Sequence, residues 1–578
     1  MTNVKITNEA FRLKYNLDGV QPPALDGLVC ARNDSAAFQI VLQSDSQYSV
    51  NVGTTEWFSR KLHLRGPHER LRVAVKAPFE TEVCLEGMMT DQDDIEKADL
   101  LLAQDVIECK GNLPSAVWAE VKVPKDAAAG EYAVTVTVFR SGYGEDEEII
   151  LSEQIPLTVA EYVLPDPKDW KFYLNLWQHL SSVARHHDVK LWSDAHFTVL
   201  AEYVKAIAAL GQKSITLCAG EIPWGGQACT ADREHPSNLF EYSIVPITKK
   251  ADGTFSYDFT KMQRYIDLCT EAGMSGDIEI FGLVNVWQQL TPTQLCEGYP
   301  ERIVLRYMNE ADGRICYIRD AEQVKDYLRA LEAYFQRTHQ IERVRIGADE
   351  PGDVDRYRET LALLKEVAPS FKCSTAINHA EFIEEFSDQI DTSAPYLGCV
   401  TKEYDKLIEH KAAFPHKKLL WYTCGYYSVP NNCLINPLTD NRMVGPLTDW
   451  LKMDGFLRWD FCLYSDDPRK DIRYSAFGTG DMNFVYPAAN GKVLLSLRYK
   501  NLQRGIGDYE LLRALREKDP AAADNALKKV LRIETLADLA TSRNIVGKAV
   551  DKDNPAAPFS KDWNDYNNMK REILNQLK

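Results

Sequence analysis

Two periodicities divide this sequence. From the start to about residue 165, apolar positions recur every second residue: Phe38, Ile40 and Leu42 alternate with Gln39 and Val41, and Val134, Val136 and Val138 with Thr135 and Thr137. Alternation in β-branched segments predicts strands with one face turned to a core. Asn33-Asp34, Gly66-Pro67 and Ala129-Gly130 supply turns. The expectation is a sandwich of antiparallel strands over residues 1–165, closed by the stiff Pro165-Asp166-Pro167.

From about 168 the pattern switches to short apolar runs alternating with helical segments, the mark of βα units. Strands are expected at Phe172–Trp177, Ser214–Ala219, Asp277–Leu283, Val344–Glu350, Lys372–Asn378, Tyr396–Thr401, Lys418–Cys424 and Phe456–Cys462. Helices are expected at Asp194–Leu210, Phe259–Ala272, Ala321–Thr338 and Val354–Val367. Eight such units most simply close a (β/α)8 TIM barrel over 168–515, with insertions near 220–257 and 287–318 on its catalytic side. Residues 516–578 read as a helical C-terminal extension.

Composition narrows the function classes. The 67 basic and 84 acidic residues give a net charge of −17, which argues against nucleic acid or an anionic membrane as partner. No apolar run reaches the ~18–20 residues of a membrane span, and Met1–Ala10 has no apolar core of a signal peptide. The 13 cysteines lack any C-x-x-C spacing, as expected of reduced thiols in a cytoplasmic protein. His186-His187 has no ligand partners at metal spacing, and Gly225-Gly226 lacks the frame of a nucleotide loop. No cofactor is expected; the sequence is silent on oligomeric state.

The chemistry concentrates at Val344–Gly352, where a strand ends in Asp349-Glu350-Pro351. Acids at the C-terminal end of a barrel strand stand where this fold works. Two adjacent carboxylates repel, so one is expected to keep a proton beside an ionised neighbour, as glycosidic cleavage requires. The competing structural role is a helix cap at Asp349 and a solvated acid at Glu350. Adjacent acids cannot flank a sugar as an opposed pair ~5 Å or more apart. One suits protonation of the glycosidic oxygen, and the other suits a substituent at sugar C2, as in substrate-assisted cleavage.

Leu174–His179, Val183-Ala184-Arg185 and Trp192–Phe197 resemble the start of the barrel in glycoside hydrolase family 123, and Gly347–Pro351 resembles its catalytic strand end. Gly455–Trp459, Asp467-Pro468, Gly480-Asp481, Val485-Tyr486-Pro487, Ser496-Leu497-Arg498 and Gly505–Glu510 are similar to its C-terminal signature. The resemblance implies a retaining β-N-acetylgalactosaminidase acting at the ends of glycolipid glycans. Asp349 would orient the acetamido group, and Glu350 would be general acid, then base. The family pattern has a small residue after Arg-Trp, then Asn and a second Trp; here Asp460, Cys462 and Tyr464 stand there, and Leu180 replaces a common Pro. These departures put the sugar preference in question.

Further candidates for substrate contact are Trp177, Gln178 and His179 after strand one, Asn285 and Trp287 after strand three, Trp421 and Tyr422 on strand seven, and Arg458, Trp459 and Asp460 on strand eight. Trp421 and Trp459 would floor a sugar or fill a core. Tyr422 would bind the acetamido carbonyl or a structural partner. Arg458 would bind hydroxyls or pair with an acid. The leading expectation is an exo-β-N-acetylgalactosaminidase. The rivals are a β-N-acetylglucosaminidase, a glycosidase indifferent to the acetamido group, and a carbohydrate-binding protein without turnover.

Overall fold

Strand propensity in the first 165 residues produces two packed sheets. The computed structural model describes residues 2–15, 21–56, 68–223, 238–284, 296–424, 429–474, 477–541 and 558–578. One sheet runs in the order Thr2–Asn8, Asp34–Ser44, Ser115–Val123, Glu80–Thr90, Glu96–Leu102. The other runs Leu28–Arg32, Glu148–Val163, Gly130–Ser141, Glu69–Lys76, Tyr48–Asn51, Val106–Cys109. Phe38, Ile40 and Leu42 meet Val134, Val136 and Val138 between them. The expected all-antiparallel pairing needs correction at two places. Leu28–Arg32 runs parallel to the end of Glu148–Val163, and Tyr48–Asn51 runs parallel to Glu69–Lys76. The chain between the members of each pair is long enough for a crossover.

Some of the alternating polar positions of the first sheet are buried as well. Gln39 is wholly buried and donates to the carbonyls of Glu9 and Phe11. Val41 and Trp118 pack with Leu438 and Leu497. This sheet therefore covers the sandwich core on one face and the second half of the chain on the other.

That half carries eight parallel strands, Tyr173–Leu176, Ile215–Cys218, Ile278–Phe281, Val344–Asp349, Lys372–Ile377, Ile390–Pro395, Lys418–Tyr422 and Gly455–Arg458, numbered first to eighth below. They form one curled sheet in the order first, eighth, seventh, sixth, fifth, fourth, third, second. Leu174 of the first strand also makes a parallel bridge to Gln212, just before the second. Alternate residues face two ways. Tyr173, Phe281, Ala376, Ala394, Leu420, Tyr422 and Leu457 share an inner cluster. Leu174, Ile280, Ile346, Trp421 and Phe456 pack toward the helices.

The expected strand at Tyr396–Thr401 is corrected. The sixth strand is Ile390–Pro395, and Leu397–Ala413 is helix. Polar Thr392 and Ser393 and small Ala394 line that strand, so its sequence lacks a strong apolar signal. The two insertions meet in one four-stranded sheet, ordered Phe255–Tyr257, Ile247–Lys249, Arg306–Asn309, Ile315–Tyr317. Among the described residues no helix is long and apolar enough to cross a membrane.

Buried charge ties the two halves together. Glu120 of the sandwich accepts from Lys500 at 2.5 Å and Arg504 at 2.6 Å, both on helix Leu497–Lys518. Burial alone would raise the Glu120 carboxyl, but these two cations outweigh it and hold it below the ordinary range. Glu9 pairs with Arg504 at 2.9 Å and Arg442 at 3.4 Å. Asp34 pairs with Lys570 of the last helix, Trp563–Gln576, at 2.6 Å. A buried pair broken on one side leaves an uncompensated charge, so the arrangement fixes a single docking geometry.

Candidate active site

The site begins with a missing side chain. A Cβ on Gly347 would fall 2.6 Å from the Phe281 ring of the third strand, so only glycine lets that ring lie against the fourth. Phe281 in turn packs on Trp177, with centroids 4.7 Å apart. Two residues beyond Gly347, Asp349 ends the strand on the same inward face, above this aromatic pair.

Glu350 departs from strand geometry. Its N–H still donates to Ala376 O at 3.0 Å, but its φ is +46°, a left-handed conformation that costs a non-glycine residue ~1–3 kcal/mol. The turn carries its carboxylate off the pleat, where Oε1 accepts from the phenol of Tyr422 on the seventh strand. Strict alternation would have sent Asp349 and Glu350 to opposite faces; the left-handed turn brings both to the mouth of the sheet. The alternative cap role is filled elsewhere: Asp353 caps helix Val354–Val367 by accepting from Arg356 N–H at 3.1 Å.

Tyr422 is buried, and its ring lies 5.4 Å from Tyr396 at the end of the sixth strand. Burial first, and then the charge of Glu350, holds its phenol well above the usual range. It therefore stays a proton donor. Its oxygen also lies 3.5 Å from Asn378 Oδ1.

Trp459 directly follows the eighth strand. It is half-buried; its indole N–H donates to Asp481 Oδ2 at 3.0 Å, and its ring faces Phe477 at 5.0 Å. His179 Nε2 lies 3.0 Å from Trp459 O, which places the proton on that nitrogen. Burial lowers the His179 imidazole to about 4, so it is neutral at physiological pH.

The other sequence candidates have different surroundings. Gln178 accepts from Thr216 N–H at 2.8 Å and donates to Leu176 O, tying the first strand to the second. Arg458 is fully buried against Asp481 and donates to Thr423 O at 2.9 Å and Asn431 Oδ1 at 2.8 Å. Trp421 points away from the mouth, donating to Thr448 at 2.8 Å and packing on Phe456 at 4.8 Å. Asp460 is fully buried, and burial first, then Asp481, pushes its carboxyl well above the usual range. Cys462 and Tyr464 lie in the layer between strands and helices, with Tyr464 reaching Tyr203 at 3.3 Å. These two departures therefore do not line the mouth. Asn285 and Trp287 lie outside the described residues.

Sequence reasoning missed Asn378, Tyr396 and Asp481. Asn378 and Tyr396 each directly follow a parallel strand, a position that itself signals the mouth. Beneath the aromatic pair lies another unforeseen group. Glu279 accepts at one oxygen from Asn175 at 2.8 Å and Ser374 at 2.5 Å, fully buried, and desolvation lifts its carboxyl to about 7. Among the described residues no cluster of His, Cys, Asp and Glu has metal-binding geometry.

No curated protein matches the sequence. A solved family 123 glycoside hydrolase from Clostridium perfringens, analysed for glycolipid glycan hydrolysis, aligns with a TM-score of 0.74 at 16% identity. The alignment covers 100% of this chain and 97% of that one, which shows a common fold. A Bacteroides ovatus GH5 xyloglucanase in complex with a XXXG heptasaccharide aligns at a TM-score of 0.29 and 10% identity, over 87% of this chain and 100% of that. A Bifidobacterium dentium β-glucuronidase complexed with coumarin-3-O-glucuronide gives 0.29 and 10%, over 87% and 66%. Both are too distant to carry an argument. The model of the glycoside hydrolase 123 catalytic domain matches residues 177–515, more than half of the sequence. The chain belongs to glycoside hydrolase family 123.

Proposed function

We propose that this protein is a retaining exo-β-N-acetylgalactosaminidase that uses the substrate's own 2-acetamido group as nucleophile. The observation that carries the reading is the convergence of Asp349 and Glu350 on one mouth, with Tyr422 donating to Glu350. In this reading the eight parallel strands close as a (β/α)8 barrel through the Leu174–Gln212 bridge, which puts both acids at its C-terminal face. Residues 1–165 are an accessory sandwich, 168–515 the catalytic domain and 516–578 a helical extension.

The steps follow from reach. Two adjacent carboxylates lie on one side of the sugar, so neither attacks C1 from the face opposite the other. Glu350 protonates the glycosidic oxygen as the acetamido oxygen bonds to C1 and the aglycone leaves. Asp349 accepts the acetamido N–H and offsets the charge of the oxazolinium. Water then attacks C1, Glu350 removes its proton, and the C1–oxygen bond to the acetamido group breaks. Tyr422, kept protonated, is placed to donate to the acetamido carbonyl when substrate displaces it from Glu350. Trp459, half-buried and tethered at its indole N–H, is the apolar floor for the ring. By analogy with the clostridial relative, the substrate is the terminal β-linked N-acetylgalactosamine of a glycolipid glycan.

The test is hydrolysis of 4-nitrophenyl β-N-acetylgalactosaminide against the corresponding glucosaminide and galactoside. Cleavage of the galactosaminide in strong preference supports the reading. Preference for the glucosaminide reassigns the sugar, equal cleavage of the galactoside removes the acetamido role, and no cleavage of any leaves a binding protein.

A further inference from the structure

One route from the sandwich to the candidate active site runs through a carboxylate. Asp99, on sandwich strand Glu96–Leu102, is wholly buried. It accepts from Tyr486 at 2.6 Å and from Arg498 Nε at 3.0 Å, and pairs with Arg498 Nη2 at 2.9 Å. Arg12 of the sandwich approaches the same carboxylate at 3.6 Å. The strand also makes a backbone bridge from Leu100 to Ser496, two residues before Arg498.

Arg498 Nη2 also lies 3.4 Å from the Tyr486 hydroxyl, and Nη1 turns to backbone. Its Nη1 donates to the carbonyls of Asn432 at 3.1 Å, Gly480 at 2.7 Å and Asn483 at 2.6 Å. Gly480 lies against the guanidinium, where a Cβ would come within 2.8 Å of Cζ, and its φ is +81°. The next residue is Asp481, which holds both Arg458 and the indole N–H of Trp459. Asn431, next to Asn432, accepts from Arg458. Guanidinium bonds to a carboxylate on one edge and to several carbonyls on another fix a plane, and that plane sets where Gly480 and Asp481 stand.

We infer that Asp99 is a positioning residue for catalysis: through Arg498, Gly480 and Asp481 the sandwich fixes the orientation of the Trp459 ring on which the sugar rests. The accessory domain is then part of the binding site without touching substrate. The inference rests on the proposed role of Trp459 as the sugar floor. A different sandwich carboxylate, Glu120, is equally buried and equally paired across the interface, but its partners Lys500 and Arg504 do not reach Asp481, so it serves as the internal control.

The experiment compares Asp99→Asn, Tyr486→Phe and Glu120→Gln in the full chain. Tyr486→Phe removes one donor to Asp99 while keeping every charge, so it carries the test if Asp99→Asn does not fold. Each is labelled with 5-fluorotryptophan, and the Trp459 resonance is identified by its loss in Trp459→Phe. The expected result is a shifted or broadened Trp459 signal in the first two variants and an unchanged one in Glu120→Gln. With it, KM for 4-nitrophenyl β-N-acetylgalactosaminide rises about tenfold in Asp99→Asn while kcat falls less than about threefold, as when ground-state and transition-state binding are lost together. An unmoved Trp459 signal in both Asp99→Asn and Tyr486→Phe overturns the positioning role itself. A moved signal with unchanged KM sinks Trp459 as the sugar floor, and with it any service of Asp99 to catalysis. Equal KM losses in Glu120→Gln reduce Asp99 to one more interface pair.

Discussion

Replacing Glu279 by Gln changes how stability depends on pH. The side chain is wholly buried under the Phe281–Trp177 pair, with one oxygen accepting from Asn175 and Ser374 and the other without a hydrogen-bond partner among the described residues. Desolvation is the main cause of its raised carboxyl. Asp277 adds to the rise; Ser374, Asn175 and Arg345 oppose it. Because the folded value lies above the unfolded one, the protonated form is favoured in the native state. The contribution is fully present below pH 4.5 and lost as pH rises through about 7. A rise from 4.5 to about 7, at ~1.36 kcal/mol per pH unit, amounts to about 3 kcal/mol. Gln keeps the accepting oxygen and cannot ionise, so its constant cost, an amide N–H₂ where the unpartnered oxygen stood, is the same at every pH. Paired denaturant titrations of wild type and Glu279→Gln from pH 4 to pH 8 should therefore diverge in favour of the variant between pH 4.5 and 7, then run parallel. A difference that stays flat across that window refutes the assignment of Glu279 as a buried, neutral acid.

Three other outcomes follow from the geometry. Glu350→Gln should lose ~10²–10⁴ in kcat on aglycones that need protonation and far less on 4-nitrophenyl leaving groups; equal losses on both would remove Glu350 from the acid role. Gly347→Ala should force the Phe281 ring from under Asp349, lowering the melting temperature by the equivalent of ~1–3 kcal/mol and lowering kcat with it; an unchanged melting curve contradicts the close packing. Asp460→Asn should gain stability relative to wild type as pH rises above 3.8, since burial disfavours the charged form of Asp460; melting curves that keep a constant offset across pH would count against it.

The sequence placed the acids because a strand ending in Asp349-Glu350-Pro351 is a local signal, and no distant contact is needed to read it. Trp421 and Tyr422 were harder. Lys418–Tyr422 is apolar at four consecutive positions, so nothing in the pattern states which face is inward; the structure turns Tyr422 to the mouth and Trp421 to the helices. The sixth strand was misplaced because its inward residues are small. Gln39 reads as the exposed face of a sandwich, yet it is buried under the Glu9–Phe11 segment, and Glu120 on the same sheet is buried by a helix hundreds of residues away. Asp481 was quoted only as part of a motif; its hold on Arg458 and Trp459 joins residues more than twenty positions apart, which periodicity cannot express.

The central claim is that the substrate's acetamido oxygen, and not a protein carboxylate, attacks C1. Its most direct test is the rate of hydrolysis of 4-nitrophenyl galactosaminides bearing acetyl, fluoroacetyl, difluoroacetyl and trifluoroacetyl groups on nitrogen. Each fluorine weakens the carbonyl oxygen as a nucleophile, so kcat should fall steeply and regularly along the series. A rate that stays level across the four substrates would contradict the account.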